Sequence, residues 1–127
     1  KSPVITIDEI QAFCLKLEQT TQEFPFDSDT LVFKVLGKIY LLCPLKSWES
    51  GSPSMTLKCD PNYAVELRNT YEAIRPGFHA NKKHWNTLYL TNSGMAPEFI
   101  FELIAHSYAK VVENMPGKLK AMYPNLR

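Results

Sequence analysis

Positive charge and aromatic rings crowd together between Arg75 and Thr87. Arg75, Lys82 and Lys83 are permanently charged, His79 and His84 add charge when protonated, and Phe78 and Trp85 lie among them. These residue types do complementary work on a polyanion: cations displace the counterions of phosphate, and rings offer flat faces on which bases or sugars stack. The segment therefore predicts a site for DNA or another anionic ligand built from Arg75, His79, Lys82, Lys83, His84 and Trp85. Three or four phosphate contacts would give a log–log salt slope of about −3 and non-specific dissociation constants of about 10⁻⁴ to 10⁻⁶ M. Sequence-specific recognition would need base-edge contacts, and the residue types identify none. Two other readings stay open. A Lys-Lys tip also serves to solubilise a turn and discourage edge pairing, with Trp85 then a core residue whose indole N–H finds a partner. The same surface, or the apolar residues Phe24 and Phe26, could instead serve a protein partner or a small ligand.

The catalytic alternatives are thinner. Cys59 falls at the end of an expected strand and just before an expected helix, where a helix N-terminus can favour thiolate. Its alternation with Met55 and Leu57 predicts a buried, inert thiol instead. His79, His84 and His106 lack the spacing of a helical metal site, although His79 and His84 could approach across a hairpin. The five glycines are isolated, which removes the usual support for a phosphate-binding loop. Ser107, within a long helix, is expected to bond back to a carbonyl one turn earlier or to make some other buried polar contact. The expectation is a non-enzymatic protein with no cofactor and no metal.

Around these residues the chain looks ordinary. Its 127 residues are 45% hydrophobic and 21% charged, a balance that favours neither disorder nor a membrane class. One domain over residues 1–127 is expected, with enough chain to bury a core unaided. Fourteen basic and thirteen acidic side chains leave a net charge of +1, so an anionic partner must be held by a local patch. Cys14, Cys43 and Cys59 form no Cys-x-x-Cys pair and are expected to be reduced and mostly buried. With no signal-peptide or transmembrane pattern, the expected location is the cytoplasm. The chain opens at Lys1 without an initiator Met, as a trimmed or excised chain would.

Thr6-Ile7-Asp8-Glu9 matches a capping box and predicts an amphipathic helix to about Thr20, ended by Phe24-Pro25-Phe26-Asp27. Leu31 to Leu36 and Lys38 to Pro44 flank Gly37 and predict a β-hairpin. Lys46 to Ser54 reads as a loop and Met55 to Cys59 as a third strand, with Thr56 and Lys58 sharing one face. Asp60-Pro61 opens a helix to about Thr70. Pro76 to Ala80 and Trp85 to Leu90 predict a second hairpin with Asn81-Lys82-Lys83-His84 at its tip. Pro97 opens a long helix to about Met115, and a short basic tail follows Pro116-Gly117. The order predicts an α+β fold of two layers, a largely antiparallel sheet with helices packed on one face.

Phe24-Pro25-Phe26, Leu31-Val32-Phe33-Lys34-Val35, Leu57-Lys58-Cys59-Asp60-Pro61, Arg75-Pro76-Gly77-Phe78-His79, Asn81-Lys82-Lys83-His84-Trp85-Asn86-Thr87 and His106-Ser107-Tyr108 form an ordered set of motifs. Together they resemble the MmcQ/YjbR family over about Phe24 to Leu119. The resemblance implies a CyaY-like two-layer domain and carries a customary DNA-binding label. It does not bring iron binding, since only Asp8, Glu9 and Glu18 are available on the first helix in place of a dense acidic ridge. Nor is there a Pro-Cys-His-Arg run to support a methyltransferase label. Asp27 stands where the family often has Gly, and Phe78 where it often has Tyr, which removes a hydroxyl from that position.

Overall fold

The computed structural model of the chain describes residues 5–77 and 80–124. Helix α1, Ile7–Leu15, begins with the predicted capping box: Glu9 N–H donates to the Thr6 hydroxyl at 3.2 Å and Thr6 N–H to the Glu9 carboxylate at 2.8 Å. It ends sooner than its apolar stripe suggests. Gln19 takes a left-handed φ of 60° and turns the chain directly into strand β1, Thr20–Glu23. This strand was invisible in the sequence because it lies at the sheet edge with three of its four residues exposed, so no apolar alternation marks it.

Strands β2 (Thr30–Val35) and β3 (Lys38–Pro44) form the predicted hairpin. Its turn residues Leu36 and Gly37 have φ of 49° and 82°, the left-handed pair that matches the twist of the flanking strands. A bulge between Phe33 and Lys34 in the pairing leaves Tyr40 as the extra residue on β3. The expected loop after β3 starts with a short helix, α2 (Leu45–Glu49), whose first N–H groups are satisfied from afar. Leu45 N–H donates to the Asp29 carbonyl at 3.0 Å and Lys46 N–H to the Asp29 carboxylate at 2.9 Å. Strand β4 (Ser54–Lys58) leads to helix α3 (Pro61–Thr70), where Asp60 accepts from Asn62 N–H and Tyr63 N–H. Strands β5 (Ile74–Pro76) and β6 (Trp85–Tyr89), helix α4 (Pro97–Glu113) and a short α5 (Gly117–Met122) complete the described elements.

The sheet runs β1-β2-β3-β4-β6-β5 and every pairing is antiparallel. Helix α4 packs on β2, β3 and β4, and α3 on β5. Rings join the helices side by side: Phe13 of α1 stacks on Phe101 of α4 at 4.8 Å, and Tyr71 beside α3 meets Phe99 at 5.2 Å. The two-layer α+β arrangement read from the sequence is the one adopted. Phe33, Leu41, Met55, Leu57, Leu88, Ile100, Leu103 and Ile104 lie in the core between the layers.

Ser107 fastens the layers together. The register pairs Leu41 with Leu57, so Tyr40 would next face Lys58. There the Ser107 hydroxyl donates to the Tyr40 carbonyl at 2.5 Å and accepts from Lys58 N–H at 2.9 Å. The buried polar contact expected of Ser107 exists, but it spans to the sheet and not back along its own helix. Satisfying two strand groups with one buried hydroxyl removes a desolvation cost of about 1–3 kcal/mol for each.

Alternation assigns the other face of the sheet. The pairings align Glu23, Val32, Leu42, Thr56, Thr87 and Arg75 in one row across all six strands, on the side opposite to Leu57 and Asn86. Lys58 and Trp85 are paired in the row on one side of it, and Ser54 and Tyr89 in the row on the other.

Candidate nucleic-acid interface

The second hairpin starts earlier than predicted, at Ile74, because Ile74 is a buried partner of Leu88 and not a residue of the preceding loop. Its arms close at Gly77, whose N–H donates to the Trp85 carbonyl at 2.9 Å. No positive φ requires this glycine. The requirement is space: a Cβ there would sit 2.8 Å from Trp85 Cβ and 3.1 Å from the Trp85 carbonyl oxygen. At the tip, Asn81 organises the turn. Its side chain accepts from Lys83 N–H at 2.9 Å, and its carbonyl accepts from His84 N–H and Trp85 N–H at 3.2 and 3.0 Å.

Arg68 of α3 holds this tip from the helix side. Its Nε donates to Asn86 Oδ1 at 2.7 Å, and its Nη2 to the carbonyls of Lys82 and, at 3.5 Å, Trp85. Asn86, buried under the hairpin, donates in turn to the Ala64 carbonyl at 3.3 Å. The tip is thus clasped by a guanidinium that sequence inspection passed over, since nothing in the spacing of Arg68 and Lys82 reveals their contact.

The predicted site residues separate into groups. Arg75 and Trp85 share the face opposite to Leu57 and Asn86, with Arg75 across from Thr87, itself buried, and Trp85 two residues away on the same strand. Arg75 is exposed, and no carboxylate lies within ion-pair distance of it among the described residues. Trp85 is half-buried and lies outside the core, unlike Trp48, which packs on the core with its indole N–H donated to the Ser54 carbonyl at 2.9 Å. Lys82 folds back on the hairpin and donates its ammonium to the Gly77 carbonyl at 2.9 Å. Lys83 is exposed at the tip; His84 is half-buried, and its carbonyl accepts from Cys59 N–H at 2.8 Å. His79, with Phe78, lies outside the described residues.

Two residues join the face that the sequence reading did not include. Lys58 is paired with Trp85, and the alternation that put it beside Thr56 was the available signal. Tyr89, 40% exposed, follows Trp85 and Thr87 on the same side of β6. Beside it lies an open polar groove of about 400 Å³, with Arg75 and Tyr89 along it, Glu72 on one wall and the 91–93 loop on another.

The Cys59 region has different properties. Burial, then the neighbouring Asp60 carboxylate, push the Cys59 thiol up to about 11, so the thiolate is scarce at neutral pH. Cys14 and Cys43 are likewise buried and free, each raised to about 12 by burial. Burial, followed by the charge of Lys110, lowers the His106 pKa. Its Nε2 accepts from Asp60 N–H at 3.2 Å, so the neutral ring carries its proton on Nδ1. Hydrogen bonds from Tyr63 N–H and Asn62 N–H hold the Asp60 carboxyl below its ordinary value despite partial desolvation. Together these groups cap α3; the adjoining cavity, between Cys59, Asn86 and His106, is only about 10 Å³. Among the described residues no group of three or more His, Cys, Asp and Glu side chains could hold a metal ion, and no helix is long and apolar enough to cross a membrane.

Residues 15–110, which span the sheet, the hairpin and most of α4, match the family model described as YjbR. The chain belongs to the YjbR family. The uncharacterized protein YjbR of Escherichia coli strain K12 is 29% identical over 122 residues, 96% of this chain and all of its own length. YbdF of E. coli O157:H7, also uncharacterized, is 35% identical over 92 residues, 72% of each chain. A crystal structure of the Deinococcus radiodurans protein DR2400, described with a DUF419 domain, superposes with a TM-score of 0.85 at 35% identity, covering 99% of this chain and 92% of that one. A Pseudomonas syringae protein gives a TM-score of 0.69 at 25% identity, over 84% and 98%. The architecture is therefore shared with solved bacterial proteins that are 25% and 35% identical to this chain.

Proposed function

We propose that this YjbR-family chain is a non-enzymatic nucleic-acid-binding protein that uses the face of the β4-β6-β5 region carrying Lys58, Trp85 and Arg75. The reading rests on one observation: the strand register places Lys58, Trp85 and Arg75 on one face, with Arg75 unpaired by any described carboxylate. Cations that are not neutralised internally remain available to exchange counterions with phosphate, and a half-buried indole outside the core can take a base or sugar on its exposed part. Lys83 extends the charge at the tip. Lys82 is assigned to holding the turn, because its ammonium already has the Gly77 carbonyl.

Titration of labelled DNA at low and moderate salt tests the proposal. Wild type should bind with a salt slope of about −3, and Lys58→Ala/Arg75→Ala should reduce that slope by about two, one for each lost phosphate contact. Lys82→Ala alone should leave the slope nearly unchanged. No binding at low salt, or equal slopes for wild type and the double variant, would overturn the assignment.

A further inference from the structure

We infer that the ligand of this face is a single strand laid along β6, with one base on Tyr89 in the groove, another against Trp85, and Arg75 on a backbone phosphate between them. The inference rests on the nucleic-acid reading and narrows it. Trp85, Thr87 and Tyr89 alternate onto the same side of β6, and Arg75 is paired with the middle one. Two aromatic side chains thus flank an exposed guanidinium.

Spacing decides between duplex and single strand. Four residues of strand separate the Cα atoms that carry the two rings by about 13 Å. Stacked bases in a duplex rise about 3.4 Å per step, so neighbouring bases cannot occupy both rings without leaving the stack. A flexible single strand reaches both by extending, and its unpaired bases have free faces to offer. The groove adds a second argument. It is open, about 400 Å³, and is lined by Glu72 as well as Arg75. A carboxylate repels a bare phosphate and accepts a hydrogen bond from an exocyclic amine, so the groove suits a base better than a phosphate. Bases bearing such an amine should be favoured over thymine.

The test compares a short labelled single strand, in cytosine-rich and thymine-rich versions, with a duplex, by fluorescence anisotropy at low salt. The single strand should bind roughly tenfold or more tighter than the duplex. Tyr89→Ala should weaken single-strand binding by roughly tenfold with the salt slope unchanged, while Tyr89→Phe retains it. Arg75→Ala should lower the slope by about one. Glu72→Gln should narrow the preference for cytosine. Duplex binding that equals or exceeds single-strand binding and ignores Tyr89→Ala would sink this inference while leaving the broader nucleic-acid reading intact. Failure of both ligands to bind would remove both.

Discussion

The two hairpins of the sheet are stabilised in different ways. In β2–β3 the turn is fixed by its own backbone, with Leu36 and Gly37 in left-handed conformations and the strands paired from end to end apart from one bulge. In β5–β6 the first arm is short, and the tip is held by side chains: Asn81 within the turn, Lys82 reaching to Gly77, and Arg68 reaching across from α3. A backbone turn can be built from two residues. A side-chain clasp requires the tertiary fold to be in place first, and it couples the shape of the tip to the helix beneath it. Apart from Lys58 on β4, the cations and rings proposed to bind ligand belong to the clasped hairpin.

Glycine substitution should separate the two most sharply. Gly77→Ala drives a Cβ against the Trp85 Cβ and carbonyl and should cost about 2–3 kcal/mol, the upper part of the usual range for overpacking. Gly37→Ala meets nothing within 4 Å and suffers only left-handed strain, about 1 kcal/mol. Urea melts of the two variants check the order, and a Gly37 variant that proves the weaker would break the comparison. Next comes Arg68→Ala, which should lower global stability by about 1–2 kcal/mol. It should also accelerate exchange of the His84 and Trp85 amides well before those of β2 and β3 respond; uniform acceleration would mean that the clasp is not local.

The smallest effect is acidic. The folded state lowers the His106 pKa, so the neutral ring is favoured and its contribution to stability is complete above about pH 6.5. Below that, the unfolded chain takes up a proton that the folded chain resists, and stability falls as the pH drops through the lowered folded value. Because His106 accepts from Asp60 at the start of α3, the loss should appear first on the α3 and β5–β6 side. Urea midpoints at about pH 7.5 and about pH 5.5 should differ more for wild type than for His106→Gln, which keeps an acceptor but does not titrate.

What was legible in the sequence follows the same division. The Thr6 capping box, the Gly37 hairpin and the Asp60-Pro61 helix start are written in neighbouring residues, and each formed where expected. Strand β1 was missed because it is polar and exposed, and α2 because Asp29, far along the chain, supplies its N-terminal partner. At the candidate site, Arg75 and Trp85 could be singled out by type alone. The employment of Lys82 within the hairpin, the clasp by Arg68, and the alignment of Lys58 and Tyr89 with Trp85 depend on pairings between segments that no local pattern encodes.

The Ser107 hydroxyl stands between Tyr40 and Lys58 at a point where two strands would otherwise bond to each other. Lys58 N–H is consequently a gauge of contact between the layers: it can meet solvent deuterium only when α4 lifts from the sheet or Ser107 lets go. Its exchange, followed beside that of amides within β3 and β4, would time the parting of helix from sheet separately from the unzipping of strands.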